Sequence, residues 1–170
     1  MNRLRHALQC SEIWGGNQEI DADVWTRSLH ASVYSRSVEG GKGGDIYYFS
    51  LCANDRLTRL ALADVTGHGK VVSDISQWIY EALSHQMNTR ESSAVLQELN
   101  RRVKPSESTS EYNSVTTATV VTVNRMDSTI RFAYAGHPPM LVKRQGKKEW
   151  TEVGLKSPSH GGNIPLGVLE

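Results

Sequence analysis

Polar and apolar positions along the chain change period twice, and those changes predict its elements. Residues 29–38, 45–53 and 56–65 show period-two features and are rich in Tyr, Val, Leu and Ala, which predicts three strands. From Val71 the period becomes helical. Val71, Ile75, Trp78, Ile79, Ala82 and Leu83 form one stripe of an α-helix running to about residue 87. A second helix is predicted over about residues 91–103, with Val95, Leu96, Leu99 and Val103 on one face and Pro105 helping to stop it. Beyond Asn113 strands return at residues 114–124, 129–135, 140–143 and 150–153, with "NRMDS" and "RQGKK" as turns. The stretch "TTATVVTV" is apolar on both faces, as expected of a central strand covered on both sides. Strands first, then a helix pair, then strands again, predicts an α+β layered fold of antiparallel sheets. A doubly wound parallel fold would alternate strand and helix throughout.

The loosest segments are residues 38–44, 104–113 and 156–163, and no repeat or Pro-rich linker divides the chain. At 170 residues the length suits one domain. Residues 1–28, including "CSEIWGGN", are expected to form a small N-terminal cap, to which no chemistry is assigned.

Charge removes some function classes. Lys and Arg number 19 against 18 Asp and Glu, so no excess draws the chain to nucleic acid or an anionic membrane. No run reaches the roughly 18 apolar residues of a membrane span, and the basic N-terminus lacks a signal-type apolar run. The expectation is a cytoplasmic protein without membrane contact. Cys10 and Cys52 lie far apart, outside any metal-spaced pair, and are expected to be buried or idle thiols.

The hairpin between the second and third strands carries the main chemical clue. Asn54 and Asp55 tolerate positive φ, and a two-residue turn there pairs Leu51 with Thr58, Phe49 with Leu60, Tyr47 with Leu62 and Asp45 with Asp64. Directly opposed carboxylates repel and raise each other's pKa unless a positive charge lies between them. A divalent cation meets that need, and an all-oxygen donor set selects Mg²⁺ or Mn²⁺ over zinc. Gly43 and Gly44 precede the first acid, Gly67 and Gly69 follow the second, and "GHG" opens the first helix at about Lys70. A helix N-terminus there offers N–H groups to a phosphate. On pattern alone, however, the acids are equally well read as solvated strand ends, since a three-residue loop would break their pairing.

The motifs "GGDIYYF", "ADVTGHGK", "TTATVV", "AGHPPML" and "PLGV", in that order and spacing, resemble the metal-dependent protein phosphatases of the protein phosphatase 2C class. The likeness is to the bacterial branch typified by sporulation protein IIE and the stress-response regulators of sigma factors. It spans about residues 33–168. It implies an α-β-β-α sandwich of two antiparallel sheets flanked by helices, with two Mn²⁺ or Mg²⁺ ions at one end. The implied activity is hydrolysis of phosphoserine or phosphothreonine on a signalling partner, in this branch often an anti-sigma-factor antagonist. By motif position Asp45 and Asp64 are the first two metal-binding acids, and Val65 lends its backbone carbonyl. The family pattern runs on past "PLGV" to further acids, whereas no Asp follows Asp127 here. The domain is therefore expected to be C-terminally incomplete, with a half-built metal site. The alternative implied is a non-catalytic relative that binds its phosphorylated partner without turnover. Tyr48 stands where the branch usually has an acid.

His68 and His137, in glycine-framed turns, either protonate a leaving oxygen or serve loop structure. Arg36 and Lys42 either touch substrate phosphate or remain solvated surface charge, and Trp14, Trp25 and Trp78 are expected to pack in the core or at its edge. "GGKGG" and "GHGK" fail the G-x-x-x-x-G-K-[ST] pattern, and nothing like HExxH supports zinc hydrolysis through Asp64 and His68.

Overall fold

A computed structural model describes residues 3–38, 40–52, 54–66, 70–103, 115–154 and 163–168. In chain order the strands are β1 (Leu4–Ala7), β2 (Glu12–Gln18), β3 (Ile20–Trp25), β4 (His30–Ser35), β5 (Lys42–Cys52) and β6 (Leu57–Val65). Helices α1 (Lys70–His85) and α2 (Ser92–Val103) follow, then β7 (Thr116–Asn124), β8 (Thr129–Ala135), β9 (Met140–Val142) and β10 (Thr151–Val153).

A five-stranded antiparallel sheet in the order β2-β5-β6-β7-β8 organises the fold. Its alternation sends Ile46, Tyr48, Ala61, Ala63, Val65, Ala118 and Val120 to one face, where Ile79 and Leu83 of α1 and Val95 and Leu99 of α2 cover them. Phe49, Leu51 and Leu60 point the other way and meet Val24, Ala31 and Val33 of a three-stranded sheet, β1-β3-β4. Helices, central sheet and smaller sheet make an incomplete α+β sandwich, and both described helices lie on one side. Within the smaller sheet β1 joins β3 in parallel, while β3 and β4 are antiparallel. No helix among the described residues is long and apolar enough to cross a membrane.

Both helices lie within two residues of their sequence-based ends. Along α1 the buried stripe is Val72, Ser76, Ile79 and Leu83, with Trp78 at its exposed margin. Three strands precede the first one expected. The paired glycines of β2 hide its alternation, but Trp14 on that strand packs against Tyr47 and Phe49 at ring distances of 5.6 and 5.8 Å, making β2 the sheet's edge. Trp25 stacks on His30 at 4.7 Å. Cys10 is exposed, and Cys52 is buried with its thiol donating to the Met87 carbonyl at 3.0 Å.

One charge lies inside this core. Arg59 on β6 is 1% exposed. Its Nε donates to Thr122 Oγ1 at 3.3 Å, and its two terminal nitrogens donate to the carbonyls of Gln86 and Thr89, just past the C-terminal end of α1. Carbonyl oxygens at the negative end of a helix dipole thus meet the guanidinium, and the central sheet is pinned to the α1–α2 junction. Replacing Arg59 by Met leaves those carbonyls without their buried donors. Urea unfolding should show a loss of about 3 kcal/mol, and Arg59→Lys, with one nitrogen for three acceptors, should recover less than half of it.

Candidate functional site

The β5–β6 turn is of the expected type: Asn54 and Asp55 have φ of 56° and 60°. The ladder it sets places Leu51 opposite Thr58, Phe49 opposite Leu60, Tyr47 opposite Leu62 and Asp45 opposite Asp64. The two carboxylates therefore share the face turned toward the smaller sheet, at the end where its cover thins and Leu62 is 48% exposed. Although Asp45 keeps solvent contact, partial desolvation pushes its pKa above the ordinary carboxylate value, the Asp64 charge adds to that push, and His137 opposes it.

Glycine and a bulge shape the backbone around Asp45. The β2–β5 ladder runs to Gly16 opposite Tyr47 and resumes only at Gln18 opposite Lys42, and the buried Asn17 donates to the Gly43 carbonyl at 3.3 Å. A Cβ on Gly44 would lie 2.5 Å from the Val65 carbonyl oxygen and 3.0 Å from Val72 Cγ1. Only glycine lets β5 pass that close to the carbonyl named as a metal donor. Ser76 of α1, fully buried, donates to the Gly44 carbonyl at 3.0 Å and ties the helix to the same bend.

On the neighbouring strand Thr117 pairs with Asp64, and its Oγ1 lies 3.0 Å from His137 Nδ1. That contact leaves Nε2 as the nitrogen not engaged by Thr117. Burial lowers the His137 pKa, and Asp64 and Asp45 pull it back up, so the imidazole lies within the field of both acids. Asn163 holds the turn beneath it: its Oδ1 accepts from the Gly136 N–H at 2.6 Å, and its Nδ2 donates to the His137 carbonyl at 2.6 Å. Gly136 has φ of 67°, and a Cβ there would meet Pro165 within 3 Å.

Of the residues picked from sequence, Asp45, Asp64 and Val65 come together, and His137 joins them through Thr117. His68, Gly67 and Gly69 lie outside the described residues. Arg36 is exposed just past β4, and Lys42 is exposed at the first position of β5. Tyr48 projects to the opposite face from Asp45, where it is buried edge-on against Tyr80 at 5.9 Å, so it does not back the acid pair. Thr117, Asn163 and Ser76 were not foreseen. Thr117 carried no sequence signal, because two helices separate β6 from β7 and no turn sets the register that places it across from Asp64.

A divalent hard cation fits this donor set. Two carboxylates and a carbonyl are all oxygen ligands, they already share an electrostatic penalty that a cation removes, and water completes such a shell. Among the described residues no three His, Cys, Asp or Glu side chains cluster tightly enough to form a cage by themselves.

The fold and this end of the sheet agree with the comparison to known families. The family model of Stage II sporulation protein E (SpoIIE) matches residues 54–170. The chain belongs to the SpoIIE family, a protein phosphatase 2C-like class. The matched region takes in Asp64, Val65, His68 and His137 and begins after Asp45. No curated protein matches the chain.

Three outcomes follow for the site, one without metal and two with it. A carboxylate whose pKa is raised by folding costs stability as pH climbs from its ordinary value of 3.8 through the raised one. Asp45→Asn should therefore stabilise the metal-free protein at pH 7 by up to about 1 kcal/mol, and this gain should vanish near pH 3. Added Mn²⁺ should raise the melting temperature of the wild type and much less that of the variant. Gly44→Ala should weaken Mn²⁺ binding, measured by calorimetry, by displacing the Val65 carbonyl.

Proposed function

We propose that this chain hydrolyses phosphoserine or phosphothreonine on a signalling protein at the Asp45–Asp64 end of its central sheet. The observation that carries the reading is the direct cross-strand pairing of these two acids in a chain of the SpoIIE family. Asp45, Asp64 and the Val65 carbonyl hold Mn²⁺ or Mg²⁺, two ions in the complete family site. When bound, the ions offset the carboxylate and phosphate charge and acidify water. The water oxygen forms a bond to phosphorus as the bond to the serine or threonine oxygen breaks, and the departing oxygen takes up a proton.

The chain's own residues orient that exchange. Thr117 holds the His137 ring, whose Nε2 can donate a hydrogen bond, and His68 of "GHG" is a second proton donor in this reading. Gly67 and Gly69, which precede α1 in the sequence, are the backbone N–H donors this reading offers to phosphate oxygens. Arg36 and Lys42 supply longer-range attraction for the phosphorylated segment. An anti-sigma-factor antagonist is the partner class that this reading favours.

Hydrolysis of p-nitrophenyl phosphate with Mn²⁺ tests it. Asp64→Asn should lower kcat/KM by at least about 100-fold, and Thr117→Val, which only releases the imidazole, by about tenfold. Activity that survives Asp64→Asn would overturn the site assignment. Tight binding of a phosphopeptide by a wild type that never turns over would support binding without catalysis.

A further inference from the structure

The β9–β10 ribbon has two unlike faces. Val142 pairs with Thr151, Leu141 with Glu152 and Met140 with Val153. Met140, Val142 and Val153 are half-buried toward the body of the protein. Tyr134 of β8 secures both strands, its hydroxyl accepting from the Met140 N–H at 2.9 Å and donating to the Val153 carbonyl at 3.0 Å. The other face looks outward. Leu141 is 56% and Trp150 is 61% exposed, and Lys143 Nζ lies 6.0 Å from the centre of the Trp150 ring. Arg144, Lys147 and Lys148 crown the tip, where the Lys147 N–H donates to the Arg144 carbonyl at 3.0 Å.

Two-stranded ribbons are marginal without support, and this one spends its largest aromatic on solvent rather than on packing. Exposed Trp and Arg are residue types enriched at interaction surfaces and dominant in binding energy. Position adds to this. The ribbon leaves the sheet three residues beyond His137, at the end that carries Asp45 and Asp64. Between Met140 and Val153 the ribbon carries Lys143, Arg144, Lys147 and Lys148 against Glu149 and Glu152, an excess of positive charge that attracts an acidic segment.

We propose that the outer face of the β9–β10 ribbon docks an acidic stretch flanking the phosphorylated residue of the protein substrate. This rests on the phosphatase reading above. A polypeptide fits better than nucleic acid or an anionic membrane because Glu149 directly follows the cations and Glu152 shares the outer face with Leu141. A continuous phosphate surface would be repelled there, whereas a peptide of mixed composition places its acids at the tip and an apolar side chain on Trp150.

The test uses the full chain with Mn²⁺ and three probes: p-nitrophenyl phosphate, a phosphoserine peptide with Asp and Glu flanks, and the same peptide with neutral flanks. The double variant Lys147→Glu, Lys148→Glu and the single variant Trp150→Ala change only exposed positions. For both variants kcat/KM on the acidic peptide should fall about tenfold through KM, with p-nitrophenyl phosphate turnover unchanged and the neutral peptide little affected. Equal kinetics of variants and wild type on the acidic peptide would overturn the proposal. Fluorescence anisotropy of the labelled acidic peptide gives a reading independent of turnover. If the wild type hydrolyses nothing, binding that the variants lose still supports docking, and binding that they retain overturns it. Tighter binding of single-stranded DNA or of phosphatidylserine vesicles than of the peptide, lost in the same variants, would also overturn it.

Discussion

The register between β5 and β6 is the constraint on which the rest of the structure depends. Asn54 and Asp55, both at positive φ, turn the chain between Cys52 and Leu57, and a slip of one residue would send each side chain to the opposite face. That single choice places Ile46, Tyr48, Ala61 and Ala63 under the helices, Phe49, Leu51 and Leu60 against the smaller sheet, and Asp45 across from Asp64. Core and candidate site are thus two consequences of one ladder. The repulsion between the acids is tolerable because eight consecutive residue pairs, from Asp45↔Asp64 to Cys52↔Leu57, hold the strands together.

Around this ladder polar groups do the positioning. Arg59 joins the first part of β6 to the end of α1, while Ser76 joins the first half of α1 to the backbone just ahead of Asp45. The helix is therefore held to the sheet at two places by buried hydrogen bonds, and the apolar stripe between them fills the space. Such bonds specify position more sharply than apolar contact, because a displaced donor loses its partner while a displaced methyl group finds another.

The helices, the late strands and the acid pair were legible in the sequence because each announces itself locally: a 3.6-residue stripe, an alternating run, a turn dipeptide. Residues 1–28 were not legible as strands. In β2 two adjacent glycines carry no side chain to show alternation, and the strand exists because Trp14 finds Tyr47 and Phe49 more than thirty positions away. The support around His137 was hidden for a related reason. Thr117 belongs to an apolar run in which a threonine looks ordinary, and Asn163 lies in a segment without periodicity. Their roles come from contacts across 20 and 26 residues of chain.

Asn163 is a case in which atom type matters and outline does not. Its amide presents an acceptor to the Gly136 N–H and a donor to the His137 carbonyl. An aspartate of the same shape would keep the first bond and set lone pair against lone pair at the second. Hydrolysis of this one amide, a slow chemical ageing of proteins, would therefore loosen the footing of the imidazole while leaving the outline of the side chain unchanged.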